Sequence, residues 1–212
     1  MSGVRAAPRG RIDKRQAILD AAFRVFARQG YANACVQEIA AEAGVAKPTV
    51  YNHLDSKERL FREAMAAAAA SATARNLAAV DRLRAPGDDL PPALQEVARR
   101  LLDCYVDERS RALWRLLNAE LAAFPDLLDV VWGEGTSRIT EALADRLARL
   151  ALAGRLTIAD PARAAEQFSG LLMGPVDSRS RLGTRQVPEA ELDELAAAAV
   201  ETFLAAFGPA TA

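Results

Sequence analysis

Cysteine, histidine and lysine are scarce in this chain of 212 residues, and each shortage closes off a chemistry. The two cysteines, Cys35 and Cys104, lie far apart, so they offer neither a disulfide framework nor the paired spacing of a zinc site. The single histidine, His53, leaves a metal cluster or a histidine-based triad without partners. No Gly-rich phosphate loop is present. The expectation is a protein that is not an enzyme and holds no cofactor and no metal. Aromatic residues make up only 6%, β-branched residues are sparse, and nothing alternates with period two over a useful length. Sheet is therefore disfavoured. No run of ~18 apolar residues exists to span a membrane. The opening MSGVRAAPRGR has no apolar segment of a secretion signal. A cytoplasmic protein with no membrane partner is expected. No internal repeat is visible, which argues against a helical solenoid.

What the chain does have is Ala, Leu and an uneven distribution of charge. Hydrophobic residues reach 51%, enough for a sizeable core. The Ala and Leu excess favours helix. The net charge is −1, but residues 1–64 hold eleven Lys and Arg against seven Asp and Glu. The remainder holds sixteen against twenty-one. A basic N-terminal third on an acidic body suits a head that binds a polyanion. All three lysines, Lys14, Lys47 and Lys57, fall in that third, against twenty-four arginines in the whole chain.

Helical spacing organises the rest. Residues 1–11, with Gly3, Pro8, Gly10 and three arginines, read as a flexible basic arm. Ile18, Leu19, Ala22, Phe23 and Phe26 mark one face of a helix over Ile12–Gln29 that Gly30 stops. Lys57 opens a long helix to about Arg84, capped by Asp55 with Glu58 or by Ser56. Its Ala66–Ala70 run presents a thin surface for close packing. Further helices are expected at about 90–107, 110–123, 125–153, 161–183 and 188–207, with Pro91, Pro125, Pro161 and Pro188 in their first turns. Pro175 falls inside the fourth of these and is expected to kink it.

The stretch Val36–Leu60, VQEIAAEAGVAKPTVYNHLDSKERL, carries the most specific pattern. Ile39, Ala40, Ala43, Val45, Val50 and Leu54 supply apolar positions for two short helices. Gly44 ends the first, because glycine takes the left-handed conformation there without a Cβ clash. Lys47-Pro48-Thr49 opens the second. This is the layout of a helix-turn-helix, whose second helix enters the DNA major groove. Cys35 is a weak cap for the first helix. Glu38 and Glu42 read as a solvated face.

These residues resemble the DNA-binding domain of TetR-type transcriptional regulators. The matching phrases are Phe26-Ala27-Arg28-Gln29-Gly30-Tyr31, Ile39-Ala40-Ala41-Glu42-Ala43-Gly44-Val45, Thr49-Val50-Tyr51-Asn52-His53-Leu54 and Ser56-Lys57-Glu58. Cys35 stands where that family usually has Thr or Ser, and Leu54 where it usually has an aromatic residue. The body is similar to the regulatory domain of the AefR-like branch. It shares Leu113-Trp114-Arg115-Leu116 with Glu120, Phe124-Pro125-Asp126-Leu127, Gly154-Arg155-Leu156 with Asp160-Pro161, Ala164-Ala165-Glu166-Gln167-Phe168, and Phe203 with Phe207-Gly208.

The expected architecture is all-α. A flexible arm (1–11) precedes a three-helix helix-turn-helix head (12–60), which a long helix joins to a helical ligand-binding and dimerisation bundle (61–212). On the reading helix, Lys47 can reach guanine O6 and N7 or a phosphate. Pro48 and Thr49 can approach a thymine methyl, while Tyr51 and His53 suit backbone phosphates. Tyr51 could equally cover the head's core, His53 could pack against the next helix, and Asn52 could read adenine or face solvent. The resemblance adds Lys57 as a phosphate contact. In the body, Tyr105, Trp114, Phe124, Trp132, Phe168 and Met173 are candidates to line a pocket, although such residues at helical spacing also build cores. Leu172, Val176, Leu192, Leu195, Ala199 and Phe203 are candidates for a dimer interface, or else close the protomer's own core. The expected partners are double-stranded operator DNA, a second copy of the chain, and an unidentified small apolar effector that releases a repressor from DNA. The alternative is an effector-independent DNA-binding protein or activator whose body serves only for dimerisation.

Overall fold

The computed structural model describes residues 9–84, 87, 89–181 and 183–209, without the side chains of residues 9–13, 132 and 134. Apart from the helical backbone of residues 9–11, the basic arm lies outside the described residues. Nine α-helices follow one another there, with no strand among the described residues. They are α1 (Arg9–Asn33), α2 (Val36–Glu42), α3 (Lys47–His53), α4 (Lys57–Val80), α5 (Leu90–Val106), α6 (Glu108–Glu120), α7 (Leu127–Leu152), α8 (Pro161–Ser180) and α9 (Glu189–Phe207). A short 3-10 turn, Asp81–Arg84, closes α4.

Local chemistry sets these boundaries. The face Ile18, Leu19, Ala22, Phe23, Phe26 of α1 is buried as expected. Gly30 breaks the helix with φ 74° and ψ 169°, after which one further turn reaches Asn33. Cys35 precedes α2 with no side-chain cap, and Gly44 has φ 67°. Ser56, rather than Asp55, caps α4, its Oγ accepting from Arg59 N at 3.1 Å. Asp107 caps α6 and Asp160 caps α8. Pro125 belongs to the turn before α7, and Pro188 is the residue just before α9. The helix α8 runs through Pro175 without an interruption.

Two hydrophobic cores lie end to end along α4. The first joins α1–α3 and the first half of α4 to Leu113, Leu116 and Leu117 of α6 and to Phe124, Leu127 and Val131. The head is therefore closed by the body's own helices. That follows from size, since a three-helix unit of about 50 residues buries too little surface to be robust alone. The second core packs the end of α4 with α5, α7, α8 and α9. The α4–α7 pair is the most extensive helix contact. Gly135 permits the close approach, because a Cβ there would lie 2.6 Å from Thr73 Oγ1.

Three expectations are corrected. Leu172, Val176, Leu192, Leu195, Ala199 and Phe203 are each 5% exposed or less within the single chain, so they pack in its second core, the other of the two roles expected of them. Choosing by hydrophobicity picked the inward face of α8 and α9. The outward faces carry Gly170, Gly174, Ala197, Ala198 and Glu201. Next, Phe168 is fully buried and meets Phe203 edge-on at 4.9 Å, and Phe124 belongs to the first core; neither lines the cavity described below. Finally, Glu38 and Glu42 are not merely solvated. Arg28 bonds both, Arg24 bonds Glu42, and Gln29 bonds Glu38, tying α1 to α2.

Ion pairs of this kind recur, and they hold carboxylates below their ordinary values. Arg28, then Arg24, lowers Glu42, and Arg62 lowers Asp126. Arg82 lowers Glu96 and Arg146 lowers Asp81. A carboxylate whose folded pKa is depressed stabilises the fold above its unfolded pKa, and that contribution is lost as pH falls through the folded value. Glu42 is half-buried and the others are exposed, so water screens these pairs and each contributes little. The thermal midpoint is expected to hold on acidification to the ordinary values of 4.5 for Glu and 3.8 for Asp, and to fall below them. Calorimetry across pH checks this; a midpoint that rises below pH ~4 would reverse the assignment.

Candidate nucleic-acid interface and the cavity behind it

The reading helix α3 offers one open face. Val50 is buried in the head core, while Lys47, Pro48, Tyr51 and Asn52 are exposed and Thr49 and His53 are half-buried. Positions i, i+1, i+4 and i+5 fall on one side of a helix, so the four exposed residues form a single patch. Tyr51 is 41% exposed, one of the few large hydrophobic side chains so displayed. Asn52 points into solvent beside it. Of the cations in the N-terminal third, Arg15, Arg24, Arg28, Arg59 and Arg62 are paired with carboxylates. Lys14 and Lys47 have no acidic partner among the described residues. Lys57 is tied inward: its Nζ donates to Ala32 O at 3.0 Å and lies 4.7 Å over the Tyr31 ring.

Behind α3, the joint between head and body is built from rings. Tyr31 of α1 and Phe61 of α4 meet Phe124, just before α7, at 4.7 Å and 5.3 Å, and Phe26 packs on Phe61 at 4.9 Å. Burial raises the Tyr31 phenol above its ordinary 10.0. Arg62 covers Phe124 and grips Asp126 through two bonds of 2.7 Å and 3.1 Å. The helix α6 adds two polar ties to α1. Arg109 bonds Asp20 at 2.5 Å over the Phe23 ring, and Glu120 Oε1 accepts from the backbone of Tyr31 at 2.8 Å.

The opposite side of α6 faces a cavity of about 360 Å³. Arg111, Trp114 and Asn118 contribute from α6, Tyr105 and Leu101 from α5, Ile139, Thr140 and Leu143 from α7, and Ser169, Leu172, Met173 and Asp177 from α8. Three of the expected lining residues, Tyr105, Trp114 and Met173, are brought together here. The Trp132 side chain lies outside the described residues. Trp114 also packs against the first core, so it touches both the cavity wall and the head's hydrophobic unit. The Tyr105 hydroxyl donates to Asp177, and burial followed by that bond pushes its pKa well above the ordinary tyrosine value. The polar lining was missed because only apolar faces were sought. Its signal was present as the row Ser169, Met173, Asp177, Ser180, which recurs at helical spacing on one side of α8.

Among the described residues there is no group of three His, Cys, Asp or Glu side chains able to hold a metal, and no helix long and apolar enough to cross a membrane. The chain matches two family descriptions: bacterial regulatory proteins of the tetR family over residues 18–64, and the AefR-like transcriptional repressor C-terminal domain over residues 92–209. It is 34% identical over 104 residues to the HTH-type transcriptional regulator AcrR of Shigella flexneri, covering 48% of this chain and 46% of AcrR. The matched segment thus spans under half the length of AcrR. In structure it is similar to a TetR-family transcriptional regulator from Mesorhizobium loti, with TM-score 0.85, 32% identity and coverage of 95% of this chain and 100% of the other. It is also similar to the flavonoid-responsive regulator FrrA, with TM-score 0.71, 28% identity and coverage of 94% and 99%. A DNA-reading helix on a core shared with a helical body, matched by family over both parts, makes this chain a member of the TetR family of bacterial transcriptional regulators with an AefR-like repressor C-terminal domain.

Proposed function

We propose that this regulator is a homodimeric repressor that small-molecule binding releases from its operator. One observation carries the reading: the cavity and the DNA-reading head share α6. A ligand against Arg111, Trp114 and Asn118 presses on the helix whose other side holds α1 through Arg109 and Glu120. The long helix α4 runs beside it as a second lever. The head then comprises residues 12–60 and the regulatory body residues 61–212, acting in the cytoplasm. The ligand shifts DNA affinity only by its differential affinity for the two arrangements of the head. That FrrA is flavonoid-responsive supports a responsive body on this fold.

Dimerisation follows from half-site recognition. One α3 contacts few base pairs, and paired recognition helices read half-sites about one turn, ~34–36 Å, apart. The outward faces of α8 and α9, with their small residues, are the surfaces offered for a second copy. In each protomer Lys47, Pro48, Thr49, Tyr51, Asn52 and His53 meet the groove, while Lys57 stands near the backbone.

Gel retardation with the DNA flanking the gene tests the reading. Absence of any shifted palindromic fragment at low salt would end it. Lys47→Ala is expected to weaken operator binding by about 1–3 kcal/mol and to relax base preference. Lys57→Ala is expected to weaken all sequences alike, to reduce the salt slope by about one, and to lower the melting temperature through the lost Ala32 bond.

A separate outcome tests the coupling. Glu120→Ala leaves the Tyr31 N–H without its acceptor, an expected loss of about 1–3 kcal/mol of stability. It is expected to shrink the ligand-induced change in operator affinity while leaving ligand binding to the free protein unchanged. Titration of wild type and variant with and without DNA reads both quantities. An undiminished change in the variant would remove α6 from the route.

A further inference from the structure

Lys57 is held by groups that leave its charge intact. Its Nζ donates to Ala32 O at 3.0 Å and lies 4.7 Å over the Tyr31 ring. Ala32 O is one of the last carbonyls of α1, which the helix itself cannot satisfy. Neither partner is charged, and no carboxylate among the described residues lies within salt-bridge distance of the ammonium. The acids around it are taken by arginines: Asp55 and Glu63 by Arg59, and Glu58 by Arg62. Those arginines are neutralised and Lys57 is not. A lysine in the first turn of α4 also works against the helix dipole, which favours an anion there. The placement becomes favourable once an anion stands in front of that turn.

Only Leu54, Asp55 and Ser56 separate Lys57 from the end of α3, so the ammonium stands beside the reading helix. An ammonium has three N–H donors. Ala32 O takes one and the Tyr31 ring face takes a second direction, which leaves one for a phosphate oxygen. A free lysine would lose rotamer freedom on contacting DNA; here that freedom is already lost in the folded chain. The two groups that hold it are adjacent in sequence, so they move together. Their own position is fixed by the Tyr31 ring, which sits 5.0 Å from Phe61 and 4.7 Å from Phe124, and by the Tyr31 N–H, which Glu120 of α6 accepts at 2.8 Å.

From this geometry we infer that Tyr31 is the positioning residue of a sequence-independent DNA contact. Its ring and the neighbouring Ala32 carbonyl hold the Lys57 ammonium ready for a backbone phosphate, and its N–H places that contact under the control of α6. The inference rests on the DNA-binding reading above and deepens it. It adds a route by which an event at α6 alters DNA affinity within one head, through a single phosphate contact, with no change in the distance between two heads.

Fluorescence anisotropy with the full chain tests it, on the operator fragment found by gel retardation and on a duplex of unrelated sequence. Replacing Tyr31 by pentafluorophenylalanine keeps the shape of the ring and removes its attraction for a cation. Binding to both duplexes is expected to weaken roughly 2- to 10-fold, the cost of ordering one freed lysine side chain. Tyr31→Phe keeps the ring face and is expected to bind as wild type does. The salt slope is expected to stay unchanged in the fluorinated protein, because Lys57 still reaches the phosphate, and to fall by about one in Lys57→Met. Glu120→Ala is expected to weaken both duplexes by a similar factor. In a Lys57→Met background neither change is expected to cost anything further, because both act through the ammonium. Should the fluorinated chain not fold, the Glu120→Ala cycle decides alone. A penalty that persists without Lys57 marks a merely structural role and overturns the inference. So does tighter DNA binding by the fluorinated protein, which would make the ring a competitor of the phosphate. If wild type retards no fragment, the DNA-binding reading fails with it; if wild type binds and the penalties persist in Lys57→Met, only this inference fails.

Discussion

The fold depends on a backbone amide that its own helix cannot satisfy. Gly30 turns out of α1 with φ 74°, and the next N–H, that of Tyr31, leaves the helical ladder. Its acceptor is Glu120, at the far end of α6 and 89 residues away in sequence. A buried amide left without an acceptor is expensive. The bond therefore sets where α6 ends relative to the head. The glycine serves the turn through its positive φ, while a Cβ there would meet the same carboxylate oxygen only at an ordinary contact distance of 3.4 Å. The ring of Tyr31 then falls between Phe61 and Phe124, and the joint packs around that one placement.

This arrangement explains why the head has no separate core. The apolar faces of α1 and α4 continue onto Leu113, Leu116 and Leu117, and the segment Phe124–Leu127 plugs the gap between them. A movement of α6 is then a movement of part of the head's own core. Trp114 is the residue at which that core and the cavity meet. Charge follows the same division. Most head arginines are engaged with carboxylates of neighbouring helices and tie the head together. The exposed face of α3 is correspondingly sparse in charge: Lys47 and the neutral groups around it.

Much of this was legible from pattern. The helix-turn-helix was visible in the spacing from Ile39 to Leu54, in Gly44 and in Pro48, because the determinants of short helices are local: periodicity, a stop and a start. The body helices were placed within a few residues by apolar spacing and proline. The resemblance to TetR-type regulators rested on the same local phrases. Less legible was which apolar residue faced what. Phe124 and Phe168 were equal candidates for a pocket by composition, yet one seals the joint and the other seals the second core. Leu172, Val176, Leu192, Leu195, Ala199 and Phe203 form a coherent apolar face whose partner periodicity cannot name; the partner is the chain itself.

What the sequence by itself determined is therefore the set of helices, their apolar faces and the family of the head, all consequences of interactions that span a turn or two of chain. Only the tertiary structure decided the pairings across long separations. Glu120 with Tyr31, Arg109 with Asp20, Arg62 with Asp126 and Tyr105 with Asp177 are each 64 or more residues apart. No periodicity encodes such pairs, because each depends on where several helices come to rest together. The cavity belongs to the same class of fact. It is the space left when α5, α6, α7 and α8 have packed, and its lining brings Tyr105, Trp114 and Asp177 together from three different helices.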